Sequence, residues 1–220
     1  MEYGYGYYLM DALWAADKLF ELTASRTYRL ATKKSWAKVP HREWVPPQIA
    51  AFADTIGGRE ASWRSPADGS GRPACAGGVN FLPVEAIYAD WEGSVYFGFP
   101  EEDPRLRQFK PVDYCQPEAF VGLYHDEAKS PALYYYAPGE GQNPYPLHLD
   151  LEGYVQLLPY TLGYEHWQLA LLELLPDDGR NPAHRLESIT PALRRDLGAW
   201  YPEFDYEAFV ARYHELKLSA

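Results

Sequence analysis

The sequence predicts an α+β fold with a central, mostly antiparallel sheet and helices packed around it, plus a helical C-terminal appendage. Three observations point there. Apolar residues recur at helical spacing in several separate stretches, including residues 7–22, 47–56 and 151–174. Short aromatic or β-branched runs, bounded by Pro, Gly and acidic turns, lie between them. At 220 residues and 47% hydrophobic content the chain can bury a sizeable core without help.

Taken in order, Leu9, Leu13, Ala16 and Phe20 fall on one side of a helix over residues 7–22. Arg26, Arg29, Lys33, Lys34 and Lys38 form a basic cluster without aromatic interleaving, which reads as a solvated face. Pro46-Pro47 opens a second helix, Ile49, Phe52, Ala53 and Ile56 supply its buried stripe, and Gly57-Gly58 stops it. Glu60 to Arg64, carrying Trp63, reads as a short strand. Ser65 to Gly78 is a surface loop that carries Cys75, and Gly77 to Trp91 runs from a turn through an apolar segment to a short helix beginning near Pro83. Ser94–Phe99, Ala119–His125 and Ala132–Ala137 are the strands expected to form the sheet.

Residues 147–175 carry the densest helix signal. Leu151, Tyr154, Val155, Leu158 and Leu162 share one face, Asp150 is placed to cap the first turn, Pro159 to kink or shorten the helix, and Gly163 to end it. Trp167, Ala170, Leu171 and Leu174 repeat the spacing in a second helix. Past the linker Asp177–Pro182, Thr190-Pro191 has the order of a cap and first helical residue, and Asp205 precedes a last helix with Phe209, Tyr213 and Leu216 on one side.

Twenty Lys and Arg against 31 Asp and Glu give a net charge of −11, which disfavours phosphate backbones and anionic membranes as ligands. A basic protein partner fits that charge. No apolar run approaches the ~20 residues that span a bilayer, and the N-terminus lacks a basic region followed by an apolar one, so a cytoplasmic protein is expected. The expectation for cofactors is none. Cys75 and Cys115 sit in no redox or metal pattern, and two free thiols are expected. His41, His125, His148, His166, His184 and His214 form no His-x-x-x-His pair; His125-Asp126-Glu127 reads as a hydrogen-bonded turn rather than a metal site. Neither a Gly-x-Ser-x-Gly elbow nor a phosphate-binding glycine loop occurs.

What stands out instead is acid beside aromatic. Asp90 and Glu92 flank Trp91, Glu101-Glu102-Asp103 forms an acidic turn, Tyr134-Tyr135-Tyr136 places phenol rings on alternate faces of a strand, and Glu140 lies in the loop that follows. Trp91 apart, these nine residues are the candidate partner-binding set. For the tyrosines, an interface and a sheet core satisfied by aromatic packing stand about equal. Asp90 and Glu92 are the carboxylates a hydrolase would use, a weaker reading.

From about Trp44 to Leu174 the order of segments resembles the SUKH superfamily, the Smi/Knr-like group of fungal cell-wall regulators and bacterial immunity proteins. The resemblance rests on the Pro46-Pro47 helix with its Gly57-Gly58 stop, Trp63 on the next strand, and Gly78-Val-Asn-Phe-Leu-Pro83 leading to Ala89-Asp-Trp91. It continues through the Val121-Gly-Leu strand, Leu133-Tyr-Tyr-Tyr, and Leu149-Asp-Leu-Glu-Gly-Tyr-Val-Gln-Leu-Leu followed by Gly163-Tyr-Glu-His-Trp-Gln168. It implies a non-catalytic protein-binding domain over residues 44–176, with an N-terminal helical extension (1–43) and the appendage (177–220) outside the shared pattern. Many bacterial members look like antidotes that neutralise a cognate toxin. The alternative is a regulatory scaffold or small-ligand-binding member without a toxin partner. The oligomeric state does not follow from the sequence.

Overall fold

Among the described residues, seven strands pair with their chain neighbours, in the order β1 to β7, and every pairing is antiparallel. They are β1 (Glu21–Thr27), β2 (Arg59–Arg64), β3 (Ala76–Phe81), β4 (Phe109–Gln116), β5 (Ala119–Tyr124), β6 (Tyr134–Tyr136) and β7 (Tyr145–Pro146). The computed structural model describes residues 4–27, 33–67, 69, 71–116, 119–125, 132–138 and 143–218.

Helices cover one face. α1 (Tyr5–Leu19) turns Leu9, Ala12, Leu13 and Ala16 inward, and α3 (Pro47–Thr55), after the short α2 (Lys33–Trp36), adds Ile49 and Phe52. α4 (Val84–Ile87) contributes both its terminal side chains. The expected long helix at 151–162 is two short ones, α5 (Leu151–Gln156) and α6 (Leu158–Thr161), with Pro159 in the first turn of α6. Proline has no N–H to continue the α5 ladder, so the break falls there. Asp150 caps α5 through the Gly153 amide at 2.8 Å, as its position predicts. Leu162 and Gly163, both in the left-handed region, reverse the chain into α7 (Trp167–Leu172).

α8 (Thr190–Trp200) and α9 (Tyr206–Leu216) place Leu193, Leu197, Phe209 and Tyr213, all fully buried, in the same core as α1 and α3. Thr190 is not the cap of α8. Glu173, just past α7, accepts from the Ile189 and Thr190 amides and from the Ser188 hydroxyl, so an earlier segment satisfies the orphan donors of this helix. Asp205 does cap α9, accepting from the Ala208 amide.

Trp63 ties the helical layer to the sheet. Its indole N–H donates to the Leu162 carbonyl at 2.8 Å and its ring stacks on Phe20 at 4.1 Å. Gly77 lies so close that a Cβ there would stand 2.3 Å from the Trp63 ring and 2.5 Å from the Gly163 carbonyl oxygen. Only glycine fits that crossing.

Three strand expectations change. Ser94–Phe99 is not a strand, because Gly93 and Gly98 both take positive φ and fold it into turns. The sheet position goes to β4, which contains Pro111 and the buried Asp113 and whose register slips twice against β5. β1 occupies residues whose only reading in sequence was the end of a helix and a basic cluster. β3 begins at Ala76, inside the stretch expected to be loop.

Along β5 every side chain is buried. Val121 and Leu123 enter the helix-covered core, whereas Phe120 and Tyr124 enter a second, smaller core with Val95, Tyr96, Leu106, Phe109 and Tyr136. That second core is roofed by residues 90–108, so part of the sheet is covered on both faces.

Candidate functional site

The roof over the second core holds five of the six carboxylates of the candidate set, Asp90, Glu92, Glu101, Glu102 and Asp103. Val95 inserts fully and Tyr96 nearly so, anchoring the segment to the sheet, and Leu106 and Phe109 close the far side. The Tyr136 hydroxyl donates to the Val95 carbonyl at 3.0 Å, and the Trp91 indole N–H donates to the Ala86 carbonyl at 3.1 Å. Between these anchors the backbone bonds itself only in turns, the Gly93 amide donating to the Tyr96 carbonyl, the Ser94 and Val95 amides to that of Trp91 and the Glu102 amide to that of Phe99, and side chains serve further amides.

Glu102 serves two of these amides. Its two carboxylate oxygens accept from the Phe97 amide at 2.8 Å and the Gly98 amide at 2.9 Å. Asp103 caps a single 3₁₀ turn, Pro104–Gln108, through the Arg105 amide at 2.9 Å. Asp90 accepts from the Tyr96 hydroxyl and from the Glu92 amide, and these two bonds, in that order, hold its carboxyl below its ordinary range. The same bond, with burial, pushes the Tyr96 phenol up to about 12. Arg105 and Arg107 lie over the Tyr124 and Tyr96 rings, fastening the roof further.

The clamp displays two rings the sequence did not mark. Phe97 and Phe99 project to solvent at 44% and 59% exposure, their centroids 5.9 Å apart and nearly parallel. Isolated exposed apolar residues are ordinary, but a stacked pair on a backbone pinned by a carboxylate is an ordered apolar knob. Glu92 and Glu101 are exposed on the same segment, and Glu102 and Asp103 are half-buried. The missed signal was Gly98 between two phenylalanines, with Gly93 five residues before it, which favours a turn over the strand that the alternation suggested.

Of the tyrosine run, Tyr135 is buried in the helix-covered core and Tyr136 in the second core, at 3% and 4% exposure. Only Tyr134 is half-buried, set edge-on to Tyr124 at 5.0 Å. The rings on both faces are therefore sheet core, and Tyr134 alone reaches the surface near the roof. Glu140 lies outside the described residues, as do Asp126 and Glu127.

Burial pushes the Cys75 thiol up to about 11 and Cys115 well above its ordinary value, the reverse of what a thiolate nucleophile needs. His125 packs edge-on against Tyr88 at 5.4 Å and lies 6.0 Å from Trp44. Among the described residues no group of three His, Cys, Asp or Glu stands together to hold a metal ion, and no helix is long and apolar enough to cross a membrane. Compared with protein-family models, with curated proteins and with solved structures, the chain matches none.

Proposed function

We propose that this chain is a non-catalytic protein-binding domain, an immunity protein that binds and neutralises a cognate bacterial toxin, with residues 90–103 of the roof as its contact surface. The observation that carries the reading is the stacked, exposed Phe97–Phe99 pair held by Glu102 among carboxylates. Aromatic side chains fixed before binding make effective interface anchors, because little conformational entropy remains to be lost. Asp90, Glu92 and Glu101 around them supply a negative rim, which selects a basic partner and speeds its approach. The net charge of −11 extends the same attraction over the whole molecule. The toxin-neutralising role is drawn from the SUKH-like order of segments.

The test is calorimetric titration of the full chain with the purified product of the adjacent reading frame. A 1:1 complex with Kd below about 100 nM, formed more slowly as salt rises, is expected. Absence of binding heat, together with separate elution of the two proteins in size-exclusion chromatography, would overturn the assignment.

A further inference from the structure

On the helical side of the sheet, away from the roof, α1 meets α6 and the turn between α8 and α9 along a groove of about 370 Å³. Four tyrosines line it: Tyr7 and Tyr8 from α1, Tyr160 from α6 and Tyr201 at the end of α8. Asp11, Glu203 and Asp205 add three carboxylates, against Arg212 as the single basic group in the lining. Arg212 is itself engaged, donating to Glu215 at 2.7 Å and to Gln156, so the groove's charge balance stays negative.

The groove opens beside an apolar row. Tyr7, Met10 and Trp14 lie at i, i+3 and i+7 on α1 and are 53%, 53% and 61% exposed. Helical spacing puts them on one outward face, opposite the buried Leu9, Leu13 and Ala16. The row already receives a cation from its own chain: the Lys18 ammonium stands 3.4 Å from the Trp14 ring centroid.

The geometry points to a second docking surface, in which the tyrosine-lined groove takes an arginine side chain of a basic peptide segment while the Tyr7–Met10–Trp14 row packs against that segment's apolar residues. Phenol faces and carboxylates around one slot are the chemistry that recognises a guanidinium, which stacks on π-faces and pairs with carboxylates through a planar fork of donors. A lysine ammonium matches it less well, having no plane to stack. This site is separate from the roof and does not rest on the toxin reading.

The probe is N-acetyl-arginine amide, titrated into the full chain while the tyrosine ring signals are followed by NMR. Saturable shifts of the Tyr7, Tyr8, Tyr160 and Tyr201 rings are expected, with Kd on the order of millimolar for a single residue. N-acetyl-citrulline amide, which has the same shape without the charge, should bind at least about tenfold more weakly. Asp11→Asn combined with Glu203→Gln should weaken the arginine probe about fivefold or more, and Phe97→Ala should leave it unchanged. Absence of saturation by about 50 mM, equal response to both probes, or shifts confined to other tyrosines would overturn the assignment. So would shifts of these same rings on concentrating the protein alone, which would give the row to a second copy of the chain.

Discussion

On one side of the sheet Val121, Leu123 and Tyr135 meet a layer of helices; on the other Phe120, Tyr124 and Tyr136 meet a loop. The helices satisfy most of their own backbone groups and need side chains mainly at their ends, where Asp150, Glu173 and Asp205 serve. The loop has no such ladder, only separate turn bonds such as those from the Gly93 amide to the Tyr96 carbonyl and from the Val95 amide to the Trp91 carbonyl, and it adds to them side-chain bonds from Asp90, Glu102, Asp103 and Tyr136. Acidic residues on the roof are thus structural first: their oxygens bond the chain's own amides while their charge still faces the surroundings. A surface built in this way can change its exposed residues without disturbing the larger core.

If that contrast holds, damage on the helical side should be global. Trp167 is buried, stacked on Tyr154 at 4.9 Å and edge-on to Phe209. Trp167→Ala should cost about 3–5 kcal/mol of unfolding free energy, measured by urea denaturation, with the whole chain losing stability together. A cost under about 1 kcal/mol would mean that this layer is not a shared core.

Asp113 tests the junction between the faces. Its carboxyl accepts from the Tyr154 hydroxyl at 2.8 Å and the Asn80 amide at 3.0 Å, and Tyr154 accepts in turn from Gln168 at 2.7 Å. Burial outweighs these bonds and raises the Asp113 pKa from 3.8 to about 6. The folded state therefore holds this proton more tightly than the unfolded chain, so Asp113's contribution to stability falls as pH rises from about 4 to about 6. The loss should approach ~3 kcal/mol, and Asp113→Asn should flatten that part of the pH–stability curve. An unchanged slope in the variant would contradict this account of the site.

The smallest expected effect on stability lies in the roof. Glu102→Ala should speed hydrogen exchange at the Phe97 and Gly98 amides by about tenfold or more while lowering global stability by less than about 1 kcal/mol. Coupled loss of global stability would show that the roof is part of one cooperative unit with the helices.

The contrast also explains what could be read from sequence. The α1 stripe and the Asp150 and Asp205 caps were legible because helical period and caps are local properties. β4 was not, because Lys110, Pro111 and Asp113 interrupt its apolar character and Asp113 is buried through partners 33 and 41 residues away. Val95, Phe97 and Phe99 alternate as a strand would, yet Gly93 and Gly98 turn the backbone and leave only Val95 of the three inside. Tyr135 is buried by the helical layer and Tyr136 by the roof, where its hydroxyl bonds Val95 41 residues earlier, and neither cover is revealed by the strand's own sequence. The carboxylates of the candidate site were visible as an acidic turn; the ring pair they display was not.

The central claim is that the roof, through its phenylalanine pair, holds a basic protein partner. Its most direct test is to titrate the product of the adjacent reading frame with the parent chain and with Phe97→Ala/Phe99→Ala, checking that both unfold at the same denaturant midpoint. The account predicts affinity weakened about 100-fold or more in the double variant, as expected when two interface anchors are removed. Equal affinity of the two proteins would contradict it.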